Sequence, residues 1–194
     1  MRRFMALLMI AIVLRLGGTQ ARAEEVSGQV LLAGRGAARQ AVVTLQGDKK
    51  ATPMAHAVMD QRDKTFLPHV MVVTRGTTVQ FPNNDTVFHN VFATFEAKRF
   101  DLGLYPRGAT RNVKFDKPGL VAIMCNIHSE MSAYIMVVDT PYFAVTDKQG
   151  RFHLNNVPPG TYILHVWHES GAVLTQTVTV KSQQTPWTLT LARK

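Results

Sequence analysis

Cys125, His128 and Met131 stand three residues apart in CNIHSEM, and His89 lies upstream in FPNNDTVFHNVF. One thiolate, two imidazoles and one thioether make the donor set of a His2Cys trigonal copper site with a weak axial Met. Thiolate and imidazole hold both Cu(I) and Cu(II), and a site of this type moves single electrons without an open position for substrate. Cys125 is the only cysteine, so an intramolecular disulfide is excluded. In an oxidising compartment a lone thiol is open to oxidation or intermolecular pairing unless it is buried or bound. Each donor also has a plainer reading: Cys125 as a small buried hydrophobe, Met131 as core filling, His89 as a turn histidine. Glu130, beside Met131, is a competing axial oxygen ligand.

The elements around these residues have to aim them at one point. LVAIM precedes the cysteine and SAYIMVV follows the methionine, so CNIHSEM is a tight loop between two strands. Similar short runs rich in Val, Ile, Thr and Phe recur along the chain: VSGQVLL, QAVVTL, HVMVVTRG, TTVQF, TRNVKF, TYILHVW and QTVTV. Gly, Pro, Asn and Asp separate them, and no long amphipathic helix appears, which predicts an all-β protein built of sandwiches or barrels. Asp147-Lys148-Gln149-Gly150 and Pro158-Pro159-Gly160 are tight-turn signals. Two stretches are least clear, Met54 to Phe66 and Phe95 to Arg107, the second reading as an irregular loop or a single helical turn.

The opening MRRFMALLMIAIVLRLGGTQARAEE has a positive start, an apolar run from Phe4 to Leu14 and a small-x-small site at Ala21-Arg22-Ala23. That is the layout of a secretory signal peptide cleaved after Ala23, and the expected location is the periplasm. The apolar run is shorter than the about 20 residues a spanning helix needs, and no membrane span is expected in the mature protein. Removing Arg2, Arg3, Arg15 and Arg22, with no acid among residues 1–23, takes the formal charge from +9 to +5. A moderately basic exported chain without a concentrated basic face is not expected to bind nucleic acid. Its charge favours acidic partners or anionic surfaces through long-range steering.

VSGQVLLAGRGAARQAVVTL near the front and AVTDKQGRFHLNNVPPGTYILHVWHE near the back resemble the two halves of a carboxypeptidase-regulatory-like (prealbumin-type) β-sandwich. The resemblance implies a discontinuous outer sandwich of residues 24–54 and 141–194, with a domain of residues 55–140 inserted where a surface loop's ends lie close together.

FLPHVMVVTRGTTVQFPNNDTVFHNVF and FDKPGLVAIMCNIHSEMSAYIMVVDTPYF resemble a cupredoxin of the plastocyanin, pseudoazurin and amicyanin kind, as found in periplasmic proteins of the methylamine-utilisation type. Phe88 stands where the family usually has Pro, Ile123-Met124 where an aromatic is common, and Ser132-Ala133 where Gly is common. The resemblance implies a Greek-key sandwich binding one type 1 copper ion through His89, Cys125, His128 and Met131. Asn90 would tie the His89 loop to the Cys125 loop. His128 would present its ring edge as the electron entry and exit point, with Phe88 and Ile127 as an apolar docking rim. The implied role is an electron carrier between redox partners such as a c-type cytochrome or a dehydrogenase. Copper storage or delivery through the same ligands is the alternative. No enzymatic role is expected: Cys125 and His128 lack an orienting acid and an oxyanion arrangement. A ligand role for His69 and the roles of His153, His165 and His168 stay open, and HVWHE either contacts the copper domain or simply anchors its own sandwich.

Overall fold

The computed structural model describes residues 24–94, 97–182 and 185–192, all of them strand, turn or irregular, with no helix among them. The expected signal peptide lies outside the described residues.

The site-bearing half is a sandwich of two sheets. The larger has the order β6 (Val70–Thr74), β12 (Ser132–Val138), β11 (Gly119–Met124), β8 (His89–Ala93), β9 (Phe100–Tyr105). Facing it is the antiparallel pair β7 (Thr77–Pro82) and β10 (Thr110–Phe115). TTVQFP alternates as strand geometry requires, with Val79 and Phe81 buried and Thr78 and Gln80 exposed. The core between the sheets holds Val79, Phe81, Val113 and Phe115 from one side and Val91, Val121, Ile123, Ala133 and Ile135 from the other. A hairpin of β4 (Asp60–Arg62) and β5 (Thr65–Leu67) covers one end. Its two turn residues, Asp63 and Lys64, both have positive φ, at 50° and 53°, as a two-residue type I′ connection demands.

The other half is also a sandwich. β14 (Arg151–Val157), β1 (Glu24–Leu32) and β17 (Trp187–Leu191) form one sheet, with β2 (Gly36–Ala37) paired on β1. The second sheet runs β13 (Phe143–Val145), β3 (Val42–Gln46), β15 (Gly160–Trp167), β16 (Val173–Val180). Strands from the two ends of the sequence pair directly, Val42 with Val145 and Thr44 with Phe143. At Asp147–Gly150 the Asp147 carboxylate accepts from the Gln149 and Arg151 amides, and Gly150 takes φ 74°. A third apolar cluster joins the sandwiches: Val42 and Trp167 of one meet Val70, Val72, Met136 and Val138 of the other.

The stretch expected to be an irregular loop or helical turn contains β9. It is an edge strand, and within it Asp101 accepts the Gly103 amide, with Gly103 at φ 66°. The pairing with β8 is bulged between Asn90 and Phe92, so the regular alternation that marks a strand is broken.

Candidate metal centre

β11 ends at Met124, the chain turns through Cys125–Glu130, and β12 resumes at Ser132. The turn is closed from within: the Met131 amide donates to the His128 carbonyl at 3.0 Å, and the Cys125 amide to the Met131 carbonyl at 3.3 Å. Beside this loop, β8 begins with His89. The loop before it is fixed by Asn83, whose amide donates to the Val87 and Tyr105 carbonyls while its oxygen accepts the Asp85 amide.

These two loops bring His89, Cys125 and His128 together, with one ligand atom from each inside 4.8 Å of the others. His89 Nδ1 and His128 Nδ1 are 3.1 Å apart, and Cys125 Sγ is 3.9 Å from His128 Nδ1. Bonds of about 2.0–2.1 Å to nitrogen and about 2.3 Å to sulfur at tetrahedral angles separate donor atoms by about 3.3 Å for N–N and about 3.6 Å for S–N. The observed spacings fall around those values, so the three side chains fit a small soft metal ion. Cys125 and His89 are buried and His128 is half-buried.

Asp85, absent from the sequence-derived site, decides the state of His89. The ring donates from Nε2 to Asp85 Oδ2 at 2.9 Å. Because a carboxylate only accepts, the hydrogen of neutral His89 sits on Nε2 and its lone pair on Nδ1 faces the other two donors. Asp85 is itself buried and held well below the usual carboxylate range. The Lys64 amide donating to Oδ2 at 2.7 Å is the main cause, and the His89 and Thr86 hydrogen bonds add to it against the opposing effect of burial. A signal for this existed in NNDTVFH, an acid four residues before the histidine, but nothing in the sequence indicates that a hairpin turn 21 residues upstream would anchor it.

Met131 is buried in the same core cluster as Cys125, whereas Glu130 is exposed. Burial therefore places the thioether on the inner side of the loop and the carboxylate in solvent. Phe88 and Ile127, next to the two histidines, are 55% and 48% exposed. Asn90 departs from the reading given above. Its side chain donates to Asp101 Oδ1 on β9 at 2.6 Å, not to the Cys125 loop, because the bulged β8–β9 pairing turns it toward the edge strand. His69 is not grouped with the ligands; it contacts Ser132 and Glu169. His153 pairs with Glu25 at 3.2 Å on the far sheet. His165 is half-buried on β15, where burial depresses its basicity. His168 is buried and donates to the Arg39 carbonyl.

A family model described as polysaccharide lyase family 4, domain II, matches residues 124–187, less than half of the chain. No curated protein matches the sequence. Among solved structures, a copper-containing nitrite reductase from Thermus scotoductus aligns at 23% identity and TM-score 0.43, over 50% of this chain and 25% of that one. The chain thus spans about a quarter of that enzyme's length. A purple cupredoxin from Nitrosopumilus maritimus aligns at 20% identity and TM-score 0.39, over 42% of this chain and 99% of that one. Amicyanin from Paracoccus versutus aligns at 18% identity and TM-score 0.40, over 50% and 97%. The metal reading that follows stands on the geometry of His89, Cys125 and His128.

Proposed function

We propose that the chain is a cupredoxin-type protein that binds one type 1 copper ion through His89, Cys125, His128 and Met131 and carries single electrons between redox proteins. The observation that carries this reading is the convergence of His89 Nδ1, Cys125 Sγ and His128 Nδ1, with Asp85 setting the His89 ring from behind. When bound, copper supplies a one-electron couple between Cu(I) and Cu(II). Everything else is done by the chain. Asp85 and the Asn83 loop hold His89 in one orientation, so little rearrangement accompanies a change of charge at the site. Burial of Cys125 and Met131 keeps water and oxidants from the sulfur atoms. His128, half-buried between exposed Phe88 and Ile127, is the exit point, and the apolar rim lets a partner approach without trapped water.

The partner class is another redox protein, a c-type cytochrome or a dehydrogenase. The setting is the periplasm, reached through a signal peptide cleaved after Ala23. We also propose that residues 24–54 and 141–194 form a prealbumin-type sandwich around the cupredoxin domain of residues 55–140. A carrier is favoured over an enzyme because copper held by all four proposed donors would have no open position for substrate.

The test is an anaerobic redox titration of the copper-loaded protein followed by electron paramagnetic resonance. One reversible electron per chain, with the Cu(II) signal lost on ascorbate and restored by ferricyanide, is expected. Copper that binds only as Cu(I) and never returns a Cu(II) signal would move the assignment to storage or delivery.

A further inference from the structure

His69 and Glu169 lie in different sandwiches, 100 positions apart, and meet at 2.5 Å between Nε2 and Oε2. The other ring nitrogen of His69, Nδ1, lies 3.0 Å from the Ser132 carbonyl, so the ring stands between two acceptors and donates to both only with a hydrogen on each nitrogen. Ser132 directly follows Met131. The parallel pairing of β6 with β12 begins only at Val70 and Tyr134, so the Ser132 carbonyl lies beyond the end of that ladder, and the His69 ring takes it instead. The same ring stands edge-on to Tyr134 at 5.6 Å, and Tyr134 stands edge-on to Trp167 of the outer sandwich at 5.1 Å.

Glu169 is not a drifting surface carboxylate. It sits in the turn between β15 and β16, closed by the Gly171 amide donating to the His168 carbonyl and the His168 amide donating to the Ala172 carbonyl, both at 3.0 Å. The buried His168 ring locks this turn on both sides. Its Nδ1 accepts the Ser170 amide at 3.1 Å, and its Nε2 donates to the Arg39 carbonyl at 3.1 Å. A fixed turn, a carboxylate, an imidazole and a backbone carbonyl therefore run in series from the outer sandwich to the loop that carries Cys125, His128 and Met131.

We propose that Glu169 is a positioning residue for the metal centre, holding the Met131 end of the ligand loop through His69 and the Ser132 carbonyl. This rests on the copper reading above for its consequence, though the clasp itself exists without metal. Exposed ion pairs add little to global stability, so the effect falls on the loop and not on the melting temperature. Outer partners of a metal ligand change affinity by about 10–100-fold, and a contact acting through two intermediates belongs at the lower end.

The experiment uses the full mature chain in three forms: wild type, Glu169→Ala, and Glu25→Ala, which breaks the His153 pair on the far sheet and serves as control. Hydrogen exchange of the metal-free proteins is read on peptides covering 125–134, and Cu(I) affinity by competition with a chelator. Glu169→Ala is expected to speed exchange in that window about tenfold and weaken Cu(I) about tenfold, with Glu169→Gln intermediate because its amide oxygen still accepts. Glu25→Ala is expected to change neither. Exchange in Glu169→Ala identical to wild type overturns the clasp, whether or not copper binds. Faster exchange with unchanged Cu(I) affinity overturns its role in positioning. Wild-type protein that binds no Cu(I) overturns both the copper reading and the positioning role, while the exchange result still decides whether the clasp exists.

Discussion

His89 meets Asp85 through Nε2 and His128 through Nδ1, and that pair of contacts makes the direction of its lone pair a property of the fold. Asp85→Asn keeps an oxygen for Nε2 but loses the charge, and the new amide group can turn its NH2 toward the ring. Copper affinity is expected to fall about 10–100-fold, as measured by chelator competition; an unchanged affinity would mean the tautomer is set elsewhere. Tyr105, whose residue pairs with His89 across β8 and β9, makes a second prediction. Burial pushes its phenol up to about 12, partly opposed by the hydrogen bond from Gln61. The folded state thus holds this proton more tightly than the unfolded one, whose phenol titrates near 10. Its contribution is complete below pH 10 and is lost as pH rises through about 12. Tyr105→Phe should flatten the alkaline loss of stability by on the order of 2 kcal/mol in denaturant titrations at pH 9 and pH 11.5. Tyr142 and Tyr162, also raised by burial, keep their own share of the slope.

At the scale of elements, β1 lies between β14 and β17, and Gly28 pairs with Phe152 on one side and Trp187 on the other. A Cβ there would stand 2.4 Å from the Trp187 carbonyl oxygen and 2.8 Å from the Phe152 ring. Gly28→Ala should cost about 1–3 kcal/mol through forced displacement of that strand, read as a lower urea midpoint with the copper centre spectrally unchanged. The sequence legibly carried the strands that alternate, such as TTVQF and QAVVTL, and the turns that need Asp, Gly or Pro. The ligand loop was legible too, because Cys125, His128 and Met131 are close in sequence and their donor types are unusual together. What was not legible depends on distant contacts. β9 is an edge strand whose pairing is bulged, so its buried and exposed positions do not alternate regularly. Asp85 becomes important only when the Asp63-Lys64 turn folds over it. The side chain of Asn90 follows the β8–β9 bulge, which no local pattern encodes.

At the largest scale, the described residues form two sandwiches sharing an apolar contact. Trp167 is the largest side chain in that contact, packed with Val42 against Val70, Val72, Met136 and Val138. Trp167→Ala should cost about 3–5 kcal/mol and split thermal unfolding into two calorimetric transitions; a single unchanged transition would mean the halves are not coupled through this cluster. Coupling at this scale gives the outer sandwich a bearing on the ligand loop, since Trp167 reaches Tyr134 of β12 and Glu169 reaches His69, just before β6. The most direct measurement is the visible absorption spectrum of the copper-loaded protein beside Cys125→Ser. An intense thiolate-to-copper band that ascorbate bleaches and ferricyanide restores, and that is missing from the variant, is the predicted result. A wild-type spectrum with no such band, or a band that survives in Cys125→Ser, would contradict a copper centre built on Cys125.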